Sequence, residues 1–484
     1  MMTQRVGSRI AAALLLAAGV TTTAAAQTPL TLADALRLAT EHSEAVAIAR
    51  TAETRADADS RRATSQKLPQ VNASASYSRT LASEFSRALD DTGPVCAPFA
   101  PDPSKPLEDR VAEIERAAGC GSLGPSFSFA DLPFGQRNIY QFGFTFAQAL
   151  YAGGRITAQQ RQAETERRTA ALATSTAEAQ VKLDVTRAFY DAALADRLVT
   201  IAESTYDQAA AAYEQVRLAF DAGRQPEFEL LRAQVARDNQ RPTVIRRRAD
   251  RDIAYLHLRQ LLELPANAPL TLDVDLETPA LPPPAPYADA LARTPSIDDH
   301  LTVQQATFGV AAREAAVTIA HAERLPSVSV TSTYGRVGYP SDGVFPGVGD
   351  FRTNWSLAAT AQLAVFTGGR LRADEASARA DLVQANAQLK QTRELAELDE
   401  ATARQDLLAA EAVWEASAGT VQQAERAYQI AELRNREGLS TQLELSDSRL
   451  SLEVARATRA QAARDLQVAR ARLALTPALP AGTR

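Results

Sequence analysis

The chain has 484 residues and a formal net charge of -6 at neutral pH, so it is long enough for several domains or for one very elongated one. The acidic balance gives no electrostatic footprint for nucleic acid, which excludes nucleic-acid binding as a leading interpretation. Charged residues of both signs make up 23% of the chain and are spread along segments of helical pattern, as solvated helix faces are.

The first 26 residues have the layout of a secretory signal peptide. Arg5 and Arg9 precede an apolar run over 10–20, and a run of alanines over 24–26 provides a small-residue cleavage site before Gln27. Beyond residue 26 no apolar run approaches the ~20 residues that a membrane-crossing helix needs. Any passage through a membrane is therefore expected to use β-strands.

Most of the remaining chain consists of two copies of one sequence pattern. The following pairs recur in the same order: Leu68-Pro69 with Tyr77 and Arg79 as Leu325-Pro326 with Tyr334 and Arg336, Gly153-Gly154-Arg155 as Gly368-Gly369-Arg370, and Gly223 as Gly438. The interval from the first glycine of the Gly-Gly-Arg motif to the later glycine is the same in both copies (153 to 223, 368 to 438). A duplicated unit predicts an internal two-fold repeat in the fold.

Two very long helices are predicted, over 155–222 and 370–437. The first stretch lacks proline and glycine, and the second is interrupted only by Gly419. At 1.5 Å per residue each helix would be about 100 Å long, too long for a globular core. Small and apolar residues follow a coiled-coil seam from Val181 to Phe220.

The second copy keeps most of this seam, 215 residues further along the chain. Glu400, Ser417 and Asn435 are the positions that break it.

Each long helix is expected to end at a glycine turn and to be followed by a helix that runs back, over 227–263 and 441–474. Glycine suits the left-handed conformation that closes a helix. Other helices are expected before the strands, over about 31–66 and 286–323.

Four segments alternate with period two and predict strands at about 68–80, 139–152, 325–337 and 353–366. In the second of them Tyr140, Phe142, Phe144 and Phe146 share one face, opposite Gln141, Gly143 and Thr145. One apolar face with aromatics and one small polar face match transmembrane β-barrel strands. A half-buried sheet in a soluble domain is the alternative. Four strands cannot close a membrane barrel, so several chains are expected to contribute to one.

The predicted domains follow from these elements. They are a signal peptide at 1–26, a first structural repeat at 27–264, a Pro-rich linker at 265–286, a second structural repeat at 287–475 and a C-terminal tail at 476–484.

Cys96 and Cys120 are the only cysteines, and both lie in a long insertion between the first two strands. In an exported chain such a pair favours a disulfide, with two free thiols as the alternative. The insertion, about 80–138, is expected to face the exterior as barrel loops of that length do.

The order and spacing of these motifs resemble the TolC-like outer membrane efflux proteins over nearly all of the predicted mature chain. The resemblance implies an α+β membrane protein of the bacterial outer membrane, a homotrimer with a 12-stranded transmembrane β-barrel built from four strands per chain. It also implies that the barrel continues as a long periplasmic α-helical coiled-coil barrel. The implied partners are outer membrane lipid, a periplasmic adaptor protein and, through the adaptor, an inner-membrane pump.

The resemblance places the adaptor-docking tip at two turns, Gly223-Arg224 and Gly438-Leu439-Ser440. Family members carry acidic residues facing the lumen after this glycine, which here implicates Glu444 and Asp447, with Glu229 in the first copy. Rings of three carboxylates would form a pore constriction selective for cations, and ordinary solvated charges are the alternative.

Some relatives hold the gate shut with an aromatic residue and an arginine around the second turn. Asn435 and Ser440 stand at those positions here, so that lock is expected to be absent.

Enzymatic activity is not expected, because the sequence has no phosphate-binding loop, no nucleophile elbow and no closely spaced metal-ligand cluster. No cofactor or metal is expected either. The resemblance instead implies the exit duct of a tripartite efflux pump for small toxic compounds, gated at its periplasmic tip. The alternatives are a type I protein-secretion duct and a non-transporting trimeric envelope spacer or adhesin.

Overall fold

The computed structural model describes residues 29–82, 99–119, 138–276, 278, 281–293, 295–340 and 344–482. The predicted signal peptide and both cysteines lie outside these residues. The chain divides into two units. The first comprises Met1–Thr54, Thr169–Thr307 and Ala387–Arg484, and the second comprises Arg55–Arg168 and Phe308–Asn386.

Helices and strands follow one another along the described chain in this order: α1 Leu32–His42, α2 Glu44–Ser65, β1 Gln70–Arg79, α3 Leu107–Gly119, β2 Asn138–Tyr151, α4 Arg155–Asp221, α5 Glu227–Asp238, α6 Gln240–Leu261, α7 Ala288–Leu291, α8 Leu301–Ala322, β3 Ser327–Gly338, β4 Phe351–Gln362, α9 Arg370–Arg436 and α10 Gln442–Leu475. Helices α4 and α9 have 67 residues each. Each begins directly after a Gly-Gly pair and ends directly before a glycine turn.

The second unit contains one antiparallel sheet in the order β1-β2-β3-β4. Its register separates the side chains as the alternation predicts. One face carries the cross-strand rows Val71–Phe146–Ser332–Leu357, Ala73–Phe144–Tyr334–Trp355, Ala75–Phe142–Arg336–Thr353 and Tyr77–Tyr140–Gly338–Phe351. The opposite face carries Asn72–Thr145–Thr333–Ser356 and Ser74–Gly143–Gly335–Asn354.

The apolar face is exposed in the single chain. Trp355 is 75% and Phe144 56% exposed. Burying such side chains is favourable by about 1.5–3 kcal/mol each, so exposing this face to water is unfavourable.

Two glycines face each other on the polar side of the sheet. A Cβ on Gly143 would lie 2.6 Å from the carbonyl oxygen of Tyr334 and 2.8 Å from Cα of Gly335. The backbones of β2 and β3 approach closely here, and only residues without a side chain permit that approach.

Strand β4 is shorter than predicted, since it ends at Gln362 rather than near 366. Gln362 pairs with Ser327, the first residue of β3, and Pro326 before it has no N–H to extend the ladder. Val365 is 91% exposed. The alternation of apolar residues continues past the end of the strand, because such a pattern depends on the side chains and not on whether a partner strand is present.

The core of the first unit is built by α1, the middle of α4, α6 and α10. Phe189, Leu258 and Leu466 are almost completely buried in it. Many of the remaining contacts are alanines, which allow the helices to approach closely.

The Pro-rich segment predicted as a linker is packed against this core. Leu276 and Leu281 of this segment are buried. Tyr287, directly after it, is buried too, and its hydroxyl shares a 2.7 Å hydrogen bond with Thr186 Oγ1. Gln467 donates to the carbonyl of Pro282 at 2.9 Å. The segment therefore packs against the helices of the first unit.

Two predicted continuous helices are broken by proline. The return helix expected over 227–263 divides at Asn239 into α5 and α6. Pro242 cannot donate to the carbonyl of Asp238, and its ring crowds that carbonyl. The equivalent helix α10 contains no proline and runs unbroken for 34 residues. Pro295 likewise precedes a new start, in which Ser296 caps the short turn before α8.

The helix expected over 31–66 divides at Ser43 into α1 and α2. The predicted C-terminal tail is also partly ordered on the first unit. Its Leu479 packs against Ala179 and Leu183.

The polar residues that break the coiled-coil seam in α9 have partners. Glu400 Oε2 lies 3.8 Å from Nε2 of the buried His300. Ser417 Oγ donates to the Trp414 carbonyl and accepts from Arg459. Glu400 also pairs with Arg404 at 2.9 Å, whereas the buried His300 Nε2 forms no hydrogen bond with any described residue.

Candidate functional site

Two helix turns of the first unit have the same backbone geometry. Gly223 and Gly438 both have φ of +71°. In the first turn the N–H of Gly223 donates to the carbonyl of Phe220, and the N–H of Arg224 donates to the carbonyl of Ala219, both at 2.8 Å. This is a Schellman closure, in which a glycine in the left-handed region lets the chain reverse.

The second turn repeats the closure. Gly438 N–H donates to Asn435 O at 3.0 Å, and Leu439 N–H donates to Arg434 O at 2.8 Å. Leu439 is 70% exposed at its apex. The predicted tip residues therefore share one local structure in both copies.

The second turn has polar tethers that the first lacks within the described residues. Asn435 Nδ2 donates to the carbonyl of Ser440 at 3.2 Å, and Ser440 Oγ donates to the carbonyl of Ala431 at 3.4 Å. Asn435 and Ser440, which stand where some relatives have the residues that hold the gate shut, therefore form hydrogen bonds within their own turn. Thr441 then caps α10, since its Oγ1 accepts the N–H of Glu444 at 3.3 Å.

Glu444 and Asp447 are exposed on the first turns of α10. Their spacing of three places both on one helix face. Neither carboxylate forms an ion pair or hydrogen bond within the described ranges. Both carboxylates are therefore accessible to solvent and ions.

Glu229 lies in the first turn of α5, which contacts α10. Its Oε2 is buried and accepts no hydrogen bond from any described residue. Arg232, one turn on, stands 5.7 Å from the Phe228 ring centroid. The structure thus brings the helices of Glu229 and Glu444 together, but the two carboxylates differ in access to water.

The Gly-Gly-Arg junctions also share one geometry. Gly153 and Gly154 have φ of +61° and +87°, and Gly368 and Gly369 have +62° and +92°. Two successive left-handed residues turn the chain from strand to helix, and other residues resist that conformation. Arg155 and Arg370 are the first residues of α4 and α9.

A charged cluster beside the second junction was not predicted from the sequence. The Glu375 side chain is 7% exposed and contacts Arg324 at 2.7 Å, Arg379 at 2.6 Å and His321 at 3.6 Å. The hydrogen bond from Arg324 lowers the pKa of Glu375.

The equivalent place in the first copy has a neutral contact, in which Gln160 Nε2 donates to Thr64 Oγ1 at 3.2 Å. The first copy has Gln160 where the second has Glu375, and this difference was the sequence signal that could have indicated the charged cluster.

The predicted disulfide between Cys96 and Cys120 lies outside the described residues. Within the described part of the chain no group of histidine, cysteine, aspartate and glutamate could hold a metal ion. No helix in that part is both long and apolar enough to cross a membrane.

Comparisons with solved structures give a consistent result. The CmeC outer membrane channel of Campylobacter jejuni has a TM-score of 0.72 at 15% identity, over 94% of this chain and 87% of that one. VceC, an outer membrane protein of Vibrio cholerae, has a TM-score of 0.69 at 18% identity, over 92% of this chain and 96% of that one. The open-state MtrE outer membrane channel of Neisseria gonorrhoeae has a TM-score of 0.68 at 16% identity, over 93% and 89%.

At these identities the likeness establishes the fold. Among curated proteins, none matches this chain. The family model described as outer membrane efflux protein matches residues 120–263 and 290–476, more than half of the 484 residues. This match confirms the resemblance seen in the sequence. The chain belongs to the outer membrane efflux protein family.

Proposed function

We propose that this protein is the outer-membrane exit duct of a tripartite efflux pump and exports small toxic compounds from the periplasm. In this proposal three copies assemble, with four strands from each forming one 12-stranded barrel and the long helices forming a periplasmic tunnel. The observation that carries it is the sheet with one apolar face, in a chain whose long helices end at matching turns.

The sheet supports assembly through its edges. Among the residues that the structure describes, strand β1 pairs only with β2, and β4 pairs only with β3. Open edges cannot be left in hydrocarbon, because their N–H and C=O groups would have no partner. Pairing β4 of one copy with β1 of the next satisfies both edges and closes a barrel. The polar face, with Asn72, Thr145 and Thr333, then lines the bore.

The helices support a tunnel. Helices α4 and α9 of 67 residues are about 100 Å long at 1.5 Å per residue. The alanine-rich seam suits close packing side by side. In the assembly, the turns at Gly223 and Gly438 form the periplasmic tip, where Arg224, Leu439 and Ser440 meet the adaptor protein.

The exposed carboxylates support a cation-selective constriction at this tip. A threefold axis turns Glu444 and Asp447 into two rings of three charges, which attract cations and oppose anions. Glu229 belongs to the same constriction, and its shielded Oε2 becomes available to ions when the helices separate. Adaptor contacts that stabilise a splayed arrangement open the gate.

Transport energy comes from an inner-membrane pump coupled through the adaptor. Members of this family are channels and not enzymes, and the proposed duct contributes a solvated path and a gate. A type I secretion duct would share this architecture and differ in cargo.

The decisive experiment deletes the gene and follows accumulation of a fluorescent efflux dye by intact cells. The proposal predicts higher accumulation in the deletion strain and restoration by the wild-type gene. Unchanged accumulation together with loss of a secreted polypeptide would assign the chain to protein secretion. Unchanged accumulation and unchanged secretion would remove the transport function.

A further inference from the structure

Two arginines lie on the apolar face of the sheet. The register places Arg336 in a row with Phe142 and Thr353, and Arg79 opposite Asn138 on the same face. They are the only charged residues on this face of the described strands. They occupy corresponding places in the two copies of the repeat, two residues after Tyr77 and Tyr334.

Neither guanidinium has a carboxylate partner among the residues that the structure describes. Both side chains are exposed, and no ion pair or hydrogen bond engages them within those ranges. A lone guanidinium on a face made for hydrocarbon is unfavourable unless an anion or water accepts its N–H groups.

Aromatic rings surround Arg336. The Phe351 ring lies over Gly338, where an added Cβ would approach it to 2.8 Å, and it meets the Phe142 ring edge-on at 5.5 Å between centroids. Tyr334 and Trp355 form the row on the other side of Arg336, with centroids 6.4 Å apart.

Tyr77 and Tyr140 stack at 4.7 Å in the row nearer the strand ends, and the Tyr77 hydroxyl donates to Asn138 Oδ1. Tyrosine rows of this kind mark the level of lipid headgroups. The row lies about 7 Å from Arg336 along the strand, within reach of an extended arginine side chain.

This end of the sheet is opposite the end at which the strands connect to α2 and α4. Arg79 ends β1 just before the long insertion, whereas Tyr151 ends β2 just before α4. The inference rests on the proposed function, in which the helices lie in the periplasm. The arginine end of the sheet then meets the outer leaflet of the membrane.

We propose that Arg336 and Arg79 form a binding site for the phosphate groups of an anionic lipid headgroup in the outer leaflet. Guanidinium groups hold phosphate through two parallel N–H···O bonds, and arginine suits this task better than lysine. Strands β1 and β3 are two spacings apart, about 10 Å, and Arg79 lies four residues, about 13 Å, beyond the row of Arg336 along the strands. The arginines therefore contact separate phosphate groups. A headgroup with two phosphates is the best fit.

Arg352 provides a matched control. It lies in the row Gln141–Val337–Arg352, next to Phe351 but on the polar face. Its replacement removes the same charge one row from Arg336, on the opposite face of the sheet from the proposed site.

The experiment uses the purified full-length protein in detergent micelles and counts bound lipid by native mass spectrometry. The probes are bisphosphorylated lipid A, its monophosphorylated form, its dephosphorylated form and inorganic phosphate. The variants are Arg336→Gln, Arg79→Gln, the double variant, Arg336→Lys and the control Arg352→Gln.

We expect wild type and Arg352→Gln to bind bisphosphorylated lipid A equally and the dephosphorylated form weakly. Each of Arg336→Gln and Arg79→Gln weakens binding about tenfold, as loss of a charged hydrogen-bonding group does. Arg336→Lys falls between, because it keeps the charge and loses the paired geometry. Inorganic phosphate leaves the bound lipid in place.

Equal binding by the double variant and the Arg352→Gln control would overturn the site. Displacement of the lipid by inorganic phosphate would also overturn it, since the arginines would then hold a free anion. The same samples are tested for conductance in planar bilayers. Conducting protein with no phosphate-dependent lipid binding contradicts this inference alone, whereas protein that is monomeric and fails to conduct contradicts the proposed function.

Discussion

The two strand-to-helix junctions offer a test in which backbone strain and steric clash are separated. Gly153 and Gly368 have almost the same φ, +61° and +62°. A Cβ on Gly153 would lie 2.9 Å from Leu325 Cβ and 3.0 Å from the carbonyl oxygen of Ala322, whereas a Cβ on Gly368 would meet nothing within 4 Å. Alanine therefore introduces the same strain at both positions and a clash at only one.

The magnitudes follow from this difference. Alanine in the left-handed region costs about 1–2 kcal/mol at either position. At Gly153 the clash adds about 1–3 kcal/mol, because neither contacting atom is the free end of a flexible side chain. We expect Gly368→Ala to lower the free energy of unfolding modestly and Gly153→Ala to lower it by about 1–3 kcal/mol more.

Denaturant unfolding in detergent, followed by circular dichroism, measures this difference as a shift in midpoint at unchanged slope. Gly419→Ala is the control, since Gly419 lies inside α9 with open space around its Cα. It should stabilise the protein by about 1 kcal/mol through helix propensity. Equal losses for Gly153→Ala and Gly368→Ala would refute the packing argument at the first junction.

Three further outcomes are expected. Gly438→Val should abolish dye efflux while leaving the oligomer intact, because a β-branched residue resists φ of +71°, and retained efflux would exclude this turn as the docking point. The Glu444→Gln, Asp447→Asn double variant should move the reversal potential in a salt gradient toward zero, and wild-type cation selectivity would exclude the carboxylate rings. The lowered pKa of Glu375 contributes stability that is present above its ordinary value of 4.5 and is lost as pH falls through the lower folded value. Glu375→Gln should therefore lower the melting temperature at neutral pH, and the difference in melting temperature between this variant and wild type should become smaller in acid. Glu394→Gln, which removes an exposed ion pair with Lys390, should change the melting temperature little.

The helices and strands could be read from the sequence because their signals are local. Gly223 and Gly438 end the long helices where glycine is expected, and alternation assigned Phe142 and Phe144 to one face of β2. The breaks were harder to predict. Pro242 divides a return helix that was expected to be continuous over 227–263, and β4 ends at Gln362 because its antiparallel partner β3 begins at Ser327.

Long-range contacts were beyond a reading of the sequence. The hydrogen bond from Arg324 to Glu375 joins the segment just after α8 to α9 across 51 residues of sequence. Nothing near Glu375 in the sequence indicates that Arg324 is its partner. Glu444, Asp447 and Glu229 were singled out together, yet burial of Glu229 Oε2 depends on how α5 packs. The charge of Arg336 was visible in the sequence, but its lack of a partner among the described residues needed the sheet register.

The central claim is that separate chains close one barrel by pairing the open edges of β1 and β4. The most direct test is the mass of the purified protein in detergent, by light scattering corrected for bound detergent. The account predicts three times the mass of one chain. A protein that remains a single chain in detergent, or that is recovered as a water-soluble periplasmic monomer, would contradict it.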